Sequence, residues 1–246
     1  MKKIIVLLFL FQISFAQSAF EKANQLYKSG NFQEAIENYE SLLITEKQSA
    51  EIYFNLGNCY YKLHQVAPAI YNFEKALLIN PDDEAAKTNL EYAKKLKIDE
   101  IKEIPKVGFG KLLQDVTSKF SYDSWAWTSV FLAFVFLLFF IGYYFSKKAV
   151  VKRTFFSGMF LLLIGILITV SAGIFEKNRY YNDKPAIVFA EITLLKSEPK
   201  ISGKTLFTLH EGTKVGVLES KAGWKKVQLS DETVGWIEDD AIRELK

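Results

Sequence analysis

Cysteine is nearly missing from this 246-residue chain, in which Cys59 stands alone. That excludes an intrachain disulfide and a metal site built from thiolates. A single helix cysteine also lacks the resolving partner that thiol redox chemistry uses, so Cys59 is read as a small apolar filler at a helix contact. Histidine is almost as scarce, and His64 and His210 lie far apart in the sequence, each read as an ordinary turn or surface residue rather than a metal ligand. There is no phosphate-cradling glycine loop, no GxSxG turn and no HExxH pair. The sequence therefore assigns no catalytic residue, no cofactor and no metal, and reads as a non-enzyme.

Charge is lacking in two places. No Asp, Glu, Lys or Arg occurs over 124–146 or over 154–175. At about 1.5 Å per residue each run makes a helix of roughly 33 Å, enough for a hydrocarbon core of about 30 Å. Each is read as a transmembrane helix, which excludes a purely soluble protein. Neither run holds an ionisable side chain other than tyrosine, so an ion or proton path has nothing to run on. The formal net charge of +3 has no basic concentration outside the loop 147–153, and nucleic acid is excluded as a partner.

What is present begins with MKKIIVLLFLFQISFA, a basic start, a short apolar stretch and small residues at Ser14 and Ala16. This predicts a signal peptide over 1–16, cleaved before Gln17, with an uncleaved anchor as the alternative. Two spans then return the C-terminus to the side of residue 17. The loop between them carries Lys147, Lys148, Lys152 and Arg153, which marks it as cytoplasmic. The expected location is the inner membrane, with both terminal domains in the periplasm.

Residues 17–98 show apolar spacing of three and four, broken at Gly30, His64 and Pro81. A shift of 34 residues aligns Ala23 with Gly57, Leu26 with Tyr60, Ala35 with Ala69, and Asn55-Leu56 with Asn89-Leu90. With Tyr53, Leu56, Gly57, Tyr60, Ala69, Phe73, Ala76 and Pro81 at fixed offsets, this segment resembles the tetratricopeptide repeat family. The resemblance implies an all-α solenoid of two repeats and a capping helix, with a face that binds peptides. Asn24 and Asn55 stand where one subgroup of the family has the asparagines of a carboxylate clamp. The clamp's cationic positions fall on Phe20, Ala85 and Asn89, which argues against a clamp. Asn58, Tyr61 and Lys62 on the same face are the candidates for a general peptide groove.

Residues 99–123 change character, with Pro105, Gly108 and Gly110 followed by Leu112, Leu113, Val116 and Phe120. This is either a linker or an amphipathic helix on a membrane surface. After a linker over 176–184, residues 185–246 switch to period two, and four or five short strands predict a small closed barrel. Gly223-Trp224, Val227 and Gly235-Trp236-Ile237 resemble bacterial SH3-like domains. Trp224 and Trp236 are read first as barrel packing and otherwise as a stacking platform for a ligand. Glu238 and Ala241 occupy the positions of the groove proline and tyrosine of that family, which argues against proline-rich ligands.

The order of signal segment, repeats, paired spans with a basic hairpin, and SH3-like domain is similar to the repeat-plus-SH3 members of the Bacteroides aerotolerance (Bat) family. That resemblance implies a multi-domain membrane protein acting as a scaffold in aerotolerance or envelope stress. Its implied partners are von Willebrand factor A domain membrane proteins and a MoxR-type ATPase. The alternative is an envelope sensor whose SH3-like domain contacts cell-wall material.

Overall fold

The computed structural model describes residues 19–45, 48–102, 104 and 108–246, so the expected signal segment lies outside the described residues. The chain divides into two compact units, one running through Ile104 and resuming at Lys184–Lys246, the other Pro105–Asp183.

The first unit opens with helices α1 (residues 19–28), α2 (Phe32–Thr45), α3 (Ala50–Lys62), α4 (Val66–Ile79) and α5 (Glu84–Lys94). Each buries a stripe at helical spacing: Ala35, Ile36, Tyr39 and Leu42 on α2, and Ala86, Leu90 and Ala93 on α5. Gly30 and His64 end α1 and α3 with φ of 84° and 58°, the same left-handed turn one repeat apart, taken once without a Cβ and once with one. Close packing explains Gly57, because a Cβ there would stand 2.6 Å from the Phe73 ring. The Asp83 carboxylate caps α5, accepting from the Ala86 N–H at 3.0 Å.

Seven strands follow: β1 (Pro185–Val188), β2 (Ile192–Lys196), β3 (Thr205–His210), β4 (Lys214–Lys221), β5 (Trp224–Gln228), β6 (Val234–Glu238) and β7 (Ile242–Glu244). They form one antiparallel sheet in the order β3-β2-β6-β5-β4-β1-β7. Two expectations are corrected here. There are more strands than four or five, because β1 and the three-residue β7 are too short to show a period. The sheet is also not closed, since the order ends on β3 and β7 with no described pairing between them.

The helical and strand regions, read from sequence as separate domains, fall in one unit and share one of the three buried clusters among its described residues. All four residues of β1 are buried. Its two faces go different ways: Ala186 and Val188 join the interior of the sheet, whereas Ile187 joins a cluster with Ile70, Phe73 and Leu90 of the repeats. Leu245, 1% exposed, enters the same cluster. Polar contacts reinforce this contact. The N-cap residue of α4, Gln65, makes no side-chain cap, and Glu211 instead accepts the Ala67 N–H at 3.3 Å. Gly212, with φ of 82°, lets the turn approach α4, where a Cβ would stand 3.0 Å from Ile70 and Val66. Asp99 accepts from the His210 N–H at 2.7 Å and the Thr213 hydroxyl at 2.6 Å, and lies 2.7 Å from His210 Nδ1. The unit is thus a helical stack closed on one side by a sheet.

The second unit contains α6 (Phe109–Thr117), α7 (Tyr122–Phe145) and α8 (Ala149–Asn182). The contacts Gly142 with Phe155, Gly158 with Phe139 and Gly165 with Leu132 run in opposite order along the two long helices, which makes an antiparallel pair. Ser129 donates to Thr169 at 2.9 Å between them. Both helices are long and apolar enough to cross a membrane, and α7 buries none of its residues within the protein. Between the two helices only residues 146–148 are non-helical. The amphipathic run forms α6, whose Thr117 carbonyl accepts from Trp125 Nε1 at 2.9 Å and whose hydroxyl donates to the buried Glu176. Arg179 Nε donates to the other Glu176 oxygen at 3.0 Å.

Candidate protein-interaction groove

The first helices of the repeats and the capping helix, α1, α3 and α5, are joined by asparagines placed by the repeat itself. Asn24 and Asn58 stand one repeat apart, as do Asn55 and Asn89. Asn55 Nδ2 donates to Asn24 Oδ1 at 3.3 Å, and Asn89 Nδ2 donates to Asn58 Oδ1 at 2.7 Å. Each helix is therefore tied to the next by the same amide pair. Asn24 Oδ1 also accepts from the Tyr39 hydroxyl. Three of the five sequence candidates, Asn24, Asn55 and Asn58, thus serve as ties between helices, and of these Asn24 and Asn55 take no part in the cavity that Asn58 lines.

Asn58 is also brought together with the remaining two. Asn58, Tyr61 and Lys62 line a cavity of about 200 Å³ with Tyr27, Asn89 and Tyr92. The exposed Tyr92 and Lys62 give this groove aromatic and cationic edges, and the asparagines supply amides. Sequence reasoning missed Tyr27 and Tyr92. The signal was available for Tyr27, which lies one repeat before Tyr61. Cys59, next to Asn58, points away into the core and is fully buried. Burial pushes its thiol up to about 12, so it carries no thiolate at neutral pH.

The tryptophans are not core residues, contrary to the first reading of them. Both are half-buried, whereas Ile237 beside Trp236 is fully buried. The alternation of β6 is the reason: Gly235 and Ile237 point inward, so Trp236 points outward. Trp236 opposes Lys226, two residues from Trp224, which places both rings on one sheet face in diagonal positions. Trp224 lines an open cleft of about 540 Å³ with Ile201, Gly223, Glu238, Asp239 and Asp240, and Trp236 does not line it. Ala241 is buried, with its carbonyl accepting from the Phe189 and Ala190 N–H groups, while Glu238 is exposed at the cleft.

Comparison with known proteins bears on the helical region. Residues 50–83 match the tetratricopeptide repeat model, and residues 23–64 match a second model described as TPR repeat. Sperm-associated antigen 1 of Rattus norvegicus is 37% identical over 79 residues, covering 32% of this chain and 9% of that protein. Tetratricopeptide repeat protein 16 of Homo sapiens is 33% identical over 64 residues, 26% of this chain and 7% of that protein. The chain thus spans less than a tenth of the length of either relative. The likeness is one of repeats, a protein-interaction fold.

Proposed function

We propose that this protein is a non-catalytic, membrane-anchored scaffold that holds a protein partner in the groove between α1, α3 and α5. The observation that carries this reading is the convergence of Asn58, Tyr61 and Lys62 with Asn89 and Tyr92 on one cavity of a repeat stack. The anchor is the α7–α8 pair, whose outward side chains, such as Phe131 at 64% and Leu161 at 68% exposed, suit lipid and not water. The basic residues at their connection support a cytoplasmic turn and periplasmic terminal domains. The order of modules supports a place in a Bat-type envelope complex with von Willebrand factor A domain membrane proteins. A photo-crosslinking amino acid in place of Tyr61, used in intact cells, should capture a membrane protein of that type. Capture of none from Tyr61, with capture from the spans, would refute the groove.

A second reading is favoured by the outward tryptophans. The sheet region resembles SH3-like domains, and half-buried Trp224 over an open cleft suits a stacking ligand such as cell-wall material. Trp224→Ala should then abolish sedimentation with purified wall and leave partner crosslinking intact. The scaffold reading gives the reverse dependence, on Lys62 and not on Trp224.

A further inference from the structure

A second cleft lies on the other side of α3, where the strands meet the repeats. It measures about 400 Å³, and its walls include Tyr53 and Tyr60 of α3, Tyr71 and Asn72 of α4, and Phe189 and Arg243 from the strand region. At about 100° per residue, Tyr53, Leu56 and Tyr60 fall on the opposite side of α3 from Asn58, Tyr61 and Lys62. This cleft is therefore distinct from the groove.

Its wall carries one cation, Arg243, and one carboxylate, Glu40, and a second cation, Lys75, stands against two of its tyrosine rings. The Arg243 guanidinium stacks on the Phe189 ring, 4.1 Å from its centre. Lys75 Nζ stands 5.7 Å from the Tyr71 ring centre and 5.9 Å from that of Tyr53. Two of the neighbouring acids are paired with lysines, and the third keeps its charge while accepting from a phenol. Glu244 pairs with Lys225, Glu74 pairs with Lys214 at 2.7 Å, and Glu40, in the wall itself, accepts from the Tyr60 hydroxyl at 2.6 Å. Among the described residues neither Arg243 nor Lys75 has a carboxylate within ion-pair distance. Burial raises the Tyr60 and Tyr71 phenols, so both stay neutral beside these cations.

Two cations without an ion-pair partner, held on aromatic rings at the edge of a cleft with amide and phenol walls, outnumber the single Glu40 carboxylate there and suit an added carboxylate. An Arg stacked on an aromatic ring keeps its planar donors free for such a group. We propose that this cleft binds an acidic peptide segment of a protein partner, with a glutamate or aspartate side chain on Arg243 and Lys75 and an apolar side chain against Phe189 and the tyrosines. This is a second contact site, and it stands independently of the groove.

The test uses the full chain in detergent and a fluorescent, end-blocked peptide with a phenylalanine flanked by glutamates, together with its glutamine counterpart. The acidic peptide should bind, and rising salt should weaken it. Arg243→Gln and Lys75→Gln should each lower affinity roughly tenfold or more, while Lys22→Gln, on an exposed face of α1, should not. Circular dichroism of each variant checks folding, and Lys75→Gln keeps the test decisive if Arg243→Gln is misfolded. Equal binding of the glutamine peptide, unchanged affinity in a folded Arg243→Gln or Lys75→Gln protein, or a loss that follows Lys62→Ala instead would overturn the proposal, as would no binding of the acidic peptide.

Discussion

At the scale of single residues, Asp99 is the most consequential side chain that sequence reading passed over. Burial alone would raise its carboxyl, but the His210 N–H, the Thr213 hydroxyl and the His210 ring outweigh burial and hold it below the ordinary carboxylate value. Such a group stabilises fully above its unfolded value, near pH 4, and the contribution is lost as pH falls through the lower folded value. Protection of the amides at residues 210–213, after correction for the intrinsic pH dependence of exchange, should therefore hold at neutral pH and fall below about pH 4. Asp99→Asn should exchange faster already at neutral pH and show a smaller acid effect, which separates Asp99 from Glu211 and Glu74. Asp99→Ala should destabilise the unit by about 1.5 to 3 kcal/mol in a denaturant titration, since it leaves donors unpaired. No periodicity could have shown this. Asp99 reads as the start of a polar linker, and its partners lie more than a hundred residues away.

At the scale of elements, the strand run beginning at Pro185 belongs to the repeats as much as to the sheet. Its four consecutive buried residues carried a signal, since an unalternating apolar strand is covered on both faces. The sequence alone did not say what covered the second face, because that cover is α4, far earlier in the chain. The expected consequence is that the C-terminus stabilises the N-terminal helices. Leu245→Ala should cost about 2 to 5 kcal/mol and lower the melting of the helical signal, although the residue lies outside every repeat. A loss confined to strand signals would contradict the shared core. The repeats were legible at a finer grain, because their packing is local and recurs every 34 residues, although the contact of Gly57 with the Phe73 ring is visible only in the structure. That the sheet stays open was not legible, because it depends on pairing between strands distant in sequence, whereas the outward aim of Trp236 follows from the alternation of β6 itself. Trp236→Ala should accordingly destabilise less than Ile237→Ala in a thermal melt, reversing the expectation of a core tryptophan.

At the scale of the whole molecule, the described residues before 105 and those after 183 belong to one unit, so the segment 105–183 must leave it and return. An antiparallel pair of apolar helices does so, and under the proposed anchoring it would keep both terminal regions on one side of a membrane. Cysteines placed at the exposed positions Ser29 and Ser202 should label together with an impermeant thiol reagent once the outer membrane is permeabilised, and one at Ala149 should not. Buried Cys59 should give little background. Labelling at 149 alone would put the repeats in the cytoplasm. The groove remains the centre of the functional account, and the most direct measurement is recovery of crosslinked partners from cells carrying Asn58→Ala with Lys62→Ala. Lys62→Ala, on the surface, should alter stability by within about 0.5 kcal/mol, and Asn58→Ala, which removes the part-buried tie to Asn89, by about 0.5 to 1.5 kcal/mol. Recovery should fall several-fold while the melting curve stays close to wild type, whereas undiminished recovery from a folded variant would contradict a partner held in the repeat groove.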